Sequence, residues 1–273
     1  MTHVPNHIQW LTYTGDTLKT SDGKDIYVYD FHYTTDHQML SDWATHFRNH
    51  YCLDTEIDYF RRGYKFSRKD YLEKIKFPDS KLAPGPSIRS GDFSEILVSD
   101  FLQYLMGFWV PRTRYIDKTI RNESTKGADI IGFKISNGSQ TPSNTDELAI
   151  FEAKAQFSSK KAKSRVQDAI DGSAKDIVRK AESLNAMKQR LFDKQSYAEA
   201  DIVERFQNQV DEPYKEIYGA VALFDNNYFD VNIEVEATTT LHPYENSMLL
   251  IAIKGNDMMK LTHELYRRAA HEA

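Results

Sequence analysis

The chain has 273 residues, 40% hydrophobic and 12% aromatic, with 35 Lys and Arg against 40 Asp and Glu for a net charge of −5. That is enough apolar material to bury a substantial core, and no run approaches the roughly 18 apolar residues of a membrane span. The opening MTHVPNHIQW lacks the pattern of a secretory signal, and Cys52 has no intrachain partner, so a reducing, cytoplasmic compartment is expected; with nine His but no paired Cys or CxxC spacing, a structural zinc site is not expected.

In chain order, Asp25–His32 reads as a strand and Met39–Arg48 as a helix, followed by a basic, Tyr-rich stretch to Lys76. The segment Lys76–Ser87 concentrates three prolines and a glycine and is the expected boundary between an N-terminal extension (1–85) and the main domain (86–273). Gly91–Gly107 carries Phe93, Ile96, Leu97, Phe101, Leu102 and Leu105 at helical spacing, with Gly107 placed to end the helix. Phe108–Ile116 is a short extended run containing Pro111. Ala128–Lys134 and Leu148–Phe157 read as strands, and Ser158–Leu191 as one long helix that Gly172 is expected to loosen or break. A helix over Tyr197–Val210, strands over Ile217–Phe224 and Ser247–Ile253, and a helix over Met258–Ala270 complete the order. Mixed order with a long connecting helix predicts an α/β fold, a small mixed sheet flanked by helices.

Charge is unevenly spread. Residues 1–60 hold 3 basic and 9 acidic side chains and residues 199–245 hold 2 and 11, whereas residues 158–190 hold 9 basic and 4 acidic. Residues 61–81 are basic too, with 8 against 3. Such asymmetry leaves room for a phosphate-facing side on an acidic protein, although a charge run is more often just a solvated helix face.

The chemistry concentrates in Ile150–Phe157. Alternation along a strand puts Glu152, Lys154 and Gln156 on one face and Phe151, Ala153, Ala155 and Phe157 on the other. A carboxylate and an ammonium in an otherwise apolar strand cost several kcal/mol each unless paired, metal-bound or open to a cleft. Asp129 precedes the neighbouring strand, and if the two strands pair, Asp129 and Glu152 converge on one cation. Hard oxygen donors of this kind suit Mg²⁺, or Mn²⁺. Glu95, one turn into the Gly91–Gly107 helix, is the candidate third metal-binding acid. Lys154 is then placed to polarise or deprotonate an attacking water and to neutralise charge building on a phosphorane. Gln156 and Gln167 are auxiliary polar candidates.

This arrangement resembles the PD-(D/E)xK, restriction-endonuclease-like superfamily. Asp129 corresponds to its Asp, Glu152 and Lys154 to its ExK, and Glu95 to the helical acid of many members; Ala128 stands where the superfamily name has proline. The blocks RSGDFSEILVSDFLQYLMG, VPRTRY, KGADIIGF and FEAKAQFS also resemble the HamA family of the Hachiman anti-phage defence system. That resemblance implies a Mg²⁺-dependent deoxyribonuclease held in check by a helicase partner, HamB, and released to degrade DNA; residues 1–85 are its possible docking region. Lys160, Lys161, Lys163 and Arg165, in the expected first turns of the long helix, are candidate phosphate contacts, with Arg112 and Arg114 flanking the same cleft. The aromatic and basic stretch Tyr59–Tyr71 resembles a single-strand stacking surface, although aromatics at such spacing more often belong to a core or interface. Two other classes stay open: a helicase-regulating subunit that does not cleave, and an RNA-directed nuclease of the same fold.

Overall fold

The computed structural model describes residues 3–125, 127–136, 141–158 and 161–273. A six-stranded mixed sheet runs through it in the order β1-β2-β6-β5-β4-β3. The strands are β1 (Leu11–Lys19), β2 (Asp25–Phe31), β3 (Ile130–Lys134), β4 (Glu147–Gln156), β5 (Lys215–Asp225) and β6 (Leu249–Gly255). The inner pairs β2–β6, β6–β5 and β5–β4 are parallel, and the outer pairs β1–β2 and β4–β3 are antiparallel. Parallel inner strands must be covered on both faces, which is why β5 and β6 are almost continuously apolar rather than alternating.

The helices are α1 (His37–Asn49), the short α2 (Ile57–Arg61) and α3 (Arg68–Tyr71), α4 (Gly85–Asp100), α5 (Arg165–Asp193), α6 (Tyr197–Glu204), the one-turn α7 (Val231–Glu234) and α8 (Met258–His271). On one face of the sheet, Phe93 and Leu97 of α4 and Phe101 just beyond it join Phe47 of α1 and Tyr266 of α8 against Phe151, Ala153, Val221 and Ile251. On the other face, Val166, Ala169 and Ile170 of α5 cover Ala220, Ala222, Leu250 and Ala252. Further along α5, Leu184 and Leu191 cover Ile131, Leu148 and Ile150 together with Val203 of α6. Residues 3–85 share this sheet and core: β2 lies in register with β6 from Ile26↔Leu250 to Phe31↔Gly255, and Trp10, Phe31 and Trp43 pack in the same cluster as Phe93.

Several boundaries differ from the sequence reading. α4 starts at Gly85, inside the expected boundary segment, because Pro86 fits the first turn of a helix, where its missing N–H is not needed. It continues through a wider turn at Phe101–Leu105 and stops where Gly107 adopts a positive φ of 75°. The run Phe108–Ile116 makes one antiparallel bridge, Trp109↔Phe133, rather than a strand. The long helix begins at Arg165, not Ser158. Ser164 caps it by accepting from Gln167 N, and the Glu234 carboxylate accepts from Arg165 N and Val166 N at 3.3 and 2.9 Å. It then runs unbroken to Asp193, straight through Gly172.

Candidate metal and phosphodiester site

Strand pairing assembles the site. β3 and β4 pair antiparallel with Ile130 opposite Phe151, so continuing the register by one residue sets Asp129 opposite Glu152. Residues directly opposite share a face with Cβ atoms about 5 Å apart. Two residues along β4, Lys154 lies on the same face and ion-pairs with Glu152. Glu152 is only 7% exposed, and it lies against α5. A Cβ at Gly172 would stand 2.5 Å from its Oε1 and 2.7 Å from its Cγ. Glycine at 172 is thus what admits the Glu152 side chain between strand and helix. One turn on from Gly172, Asp176 faces the same space, and its Oδ2 is buried with no hydrogen-bond partner.

Glu95 comes from α4, on the opposite face of the sheet. It reaches the others around the sheet end through Arg114, whose Nε lies 2.8 Å from Glu95 Oε2 and whose Nη2 lies 2.7 Å from Asp129 Oδ1. Arg114 also donates to the carbonyls of Ala128 (2.6 Å) and Thr125 (3.2 Å), and Tyr115 donates from its hydroxyl to Glu95. A cavity of about 280 Å³ opens beside this corner, lined by Arg114, Asp129, Ser183 and Arg190 among others.

The electrostatics are those of acids short of a counter-charge. Burial, with Asp129 next to it, pushes Glu152 up to about 9 despite Lys154. Burial pushes Glu95 up to about 8 against the opposing pull of Arg114, and Asp176 is raised to about 7 by burial and Asp129. Lys154 goes the other way: burial lowers it, the Glu152 carboxylate more than compensates, and the net shift is upward. Lys154 is therefore held as a cation, which favours charge neutralisation over deprotonation of water. Fully ionised, Glu95, Asp129, Glu152 and Asp176 face three cations, Arg114, Lys154 and Arg179. The acids outnumber the cations, and their donors are the hard oxygens Mg²⁺ or Mn²⁺ accepts. Among the described residues, however, these acids do not bring three donor atoms within 4.8 Å of one another. Arg114 stands between two of them.

Sequence reasoning placed Glu95, Asp129, Glu152 and Lys154 in one site, and they lie together here. It missed Asp176 and Tyr115, and it set Arg114 at the rim rather than between the acids. Asp176 had a signal: with Ser173 it is a buried polar residue on the stripe of Val166, Ala169 and Ile170 that α5 turns to the sheet. The auxiliary glutamines are engaged elsewhere. Gln156 donates to Lys161 O (2.7 Å) and accepts from Lys163 N (3.1 Å), tying that loop to the end of β4. Gln167 bonds Asp171 and Thr238 N. Of the candidate phosphate contacts, Lys160 lies outside the described residues. Lys161 and Lys163 are exposed and precede the helix, and Arg165 ion-pairs with Asp168 at 2.6 Å.

In the basic stretch of 61–81, Arg61 and Arg68 are held by Asp58, Lys74 by Asp70 and Lys76 by the Ile116 carbonyl. Tyr59, Phe60 and Tyr64 are exposed there, while Tyr71 is buried.

Fold and site geometry together define an α/β protein of the restriction-endonuclease-like kind, a mixed sheet between helical layers with acids and a lysine gathered at the β3–β4 end. No curated protein matches the chain. The chain belongs to the HamA family, whose sequence profile matches residues 6–269, and is a component of the Hachiman anti-phage defence system. Among the described residues no helix is long and apolar enough to cross a membrane.

Proposed function

We propose that this chain is a metal-dependent deoxyribonuclease, the cleaving effector of its defence system, restrained by a helicase partner, HamB, until DNA is to be degraded. The observation that carries this reading is the acid cluster itself: Asp129, Glu152 and Asp176 crowd one corner, their charge incompletely compensated by Arg114 and Lys154. Asp129 and Glu152 would hold the Mg²⁺ or Mn²⁺, with Glu95 or Asp176 as the third acid. The ion would supply Lewis-acid polarisation of the phosphodiester and a water of lowered pKa. Lys154, kept protonated by Glu152, neutralises negative charge as it builds on the phosphoryl oxygens. Asp176, with a pKa near neutrality and an unpartnered oxygen, is placed to take a proton. Lys161 and Lys163, on the loop that Gln156 fastens to the end of β4, are the proposed contacts to flanking phosphates.

One observation favours a second reading, a helicase-regulating subunit that does not cut. Arg114 already bridges Glu95 and Asp129, occupying space a metal ion would need. Incubating the purified chain, alone and with its helicase, with plasmid DNA and with RNA in Mg²⁺ or EDTA separates these readings. Mg²⁺-dependent DNA cleavage that vanishes in Glu152→Gln is expected. Cleavage of RNA in preference to DNA would redirect the substrate, and absence of cleavage in every condition would leave the regulatory reading.

A further inference from the structure

A second donor cluster lies on the α1/α4 side, apart from the acid corner. His7, in a short turn of helix at Asn6–Trp10, places Nε2 2.9 Å from Asp100 Oδ2. His46, on α1, places Nε2 3.0 and 3.1 Å from the two oxygens of Asp100, at the end of α4. His50, one turn further along α1, has its Nε2 3.4 Å from that of His46. The ligand atoms of His7, His46 and Asp100 lie within 4.8 Å of one another, the only group of three that does so among the described residues. His7, His50 and Asp100 are buried at 1%, 5% and 0% exposure.

Hydrogen bonding alone does not account for this cluster. Each Nε2 carries at most one proton. If the His46 proton goes to Asp100, His46 has nothing to offer His50. If His50 donates to His46 instead, the lone pair of Asp100 meets no donor from His46. One buried nitrogen or oxygen contact is left unserved either way. A cation accepting all the lone pairs removes the conflict. Tetrahedral ligands on bonds of 2.0–2.1 Å stand about 3.3–3.4 Å apart, so the 2.9 Å between His7 and Asp100 and the 3.0–3.1 Å between His46 and Asp100 need only small adjustment. The outer shell is present as well. Arg112 donates to Asp100 Oδ1 at 2.8 Å and to Gln103 Oε1 at 2.7 Å, fixing the carboxylate and leaving Oδ2 toward the histidines. Metal-bound carboxylates are commonly oriented in this way.

We propose that His7, His46 and Asp100 bind a zinc ion, with His50 the nearest further donor, and that the ion fastens the N-terminal segment and α1 to the end of α4. Imidazole with one carboxylate suits Zn²⁺ and not Mg²⁺. The lack of paired cysteines, which argued against zinc at the level of sequence, does not bear on a set made of His and Asp. The site is separate from the proposed nuclease corner and does not depend on it.

The test uses full-length protein purified without a histidine tag from zinc-supplemented medium and dialysed. Elemental analysis should find about one zinc per chain in the wild type and in Glu152→Gln, and little in His46→Gln or Asp100→Asn. Chelation should lower the melting temperature of the wild type. Zinc-free wild-type protein whose melting temperature ignores added Zn²⁺ would overturn the site. Zinc that survives His46→Gln but is lost in Glu152→Gln would place the metal at the other corner and overturn it too. If His46→Gln and Asp100→Asn do not fold, chelator-stripped Glu152→Gln titrated with Co²⁺ decides. Intense visible bands of tetrahedral cobalt support the site, and their absence overturns it.

Discussion

Gly172→Ala separates catalysis from stability. In the middle of an exposed helix this change gains about 1 kcal/mol, because alanine loses less backbone freedom than glycine. Here the new methyl would stand 2.5 Å from Glu152 Oε1, where ordinary contact begins at 3.4 Å, so the carboxylate must retreat by roughly 0.9 Å. A misplacement of that size at a reacting centre costs on the order of 100-fold in rate. The helix gain offsets the strain of moving Glu152 Cγ, which the methyl would meet at 2.7 Å, so the stability of the fold should change little. The expected result is an unchanged or slightly raised melting temperature with cleavage down about 100-fold under Mg²⁺. Calorimetry and a plasmid-nicking time course read the two quantities on the same preparation. Wild-type cleavage in Gly172→Ala would refute the argument, since a Glu152 that tolerates the methyl either lies elsewhere or does not matter to the chemistry.

The pH dependence of stability carries a definite sign. Glu95, Glu152 and Asp176 are all raised in the folded state, so the metal-free fold holds protons that the unfolded chain has released, and its stability falls as pH rises from about 4.5 towards 9. Glu152→Gln should flatten that fall and melt higher than the wild type at pH 8 in EDTA, and Mg²⁺ should raise the wild type alone; an identical pH profile in the two proteins would count against the crowded-acid account. Arg114→Met removes a 15%-exposed cation from between Glu95 and Asp129, and such a loss costs roughly 3–5 kcal/mol, or about 10 °C in a chain of this size. The loss should be smaller at pH 5, where Glu95 is protonated; a penalty independent of pH would point to lost packing instead.

What was legible in the sequence was local. The alternation of Glu152 and Lys154 in an apolar strand has period two and needs no partner to be seen, and one register then brings Asp129 across. The start of α5 was legible too, since Ser164 with Gln167 three residues on is a capping signal, although the basic run before it drew the helix out to Ser158. β1 was hidden because it is an edge strand with mostly solvated side chains, so no apolar alternation marks it. Gly172 misled for a different reason. Glycine in a helix predicts weakness when read along the chain, and the contact that explains it comes from β4. Arg114 belongs to the same class: its role exists only once α4 and the sheet end have met.

The segment joining α4 to β3 connects the two clusters. Arg112 and Arg114 are two residues apart in it; the first holds Asp100 at the end of α4, and the second holds Glu95 nearer its middle together with Asp129. Both arginines therefore fasten one short segment to one helix, and a shift of that segment would loosen both grips together. On the nuclease reading this matters because a metal ion entering beside Asp129 competes with the Arg114 guanidinium for the same oxygens. Binding of the ion and departure of Arg114 are then linked, and anything that pulls the Val110–Ile116 segment outward raises metal affinity by the free energy of the broken Arg114 contacts. A partner that restrains cleavage need not cover the acids; gripping this segment in its present position would be sufficient.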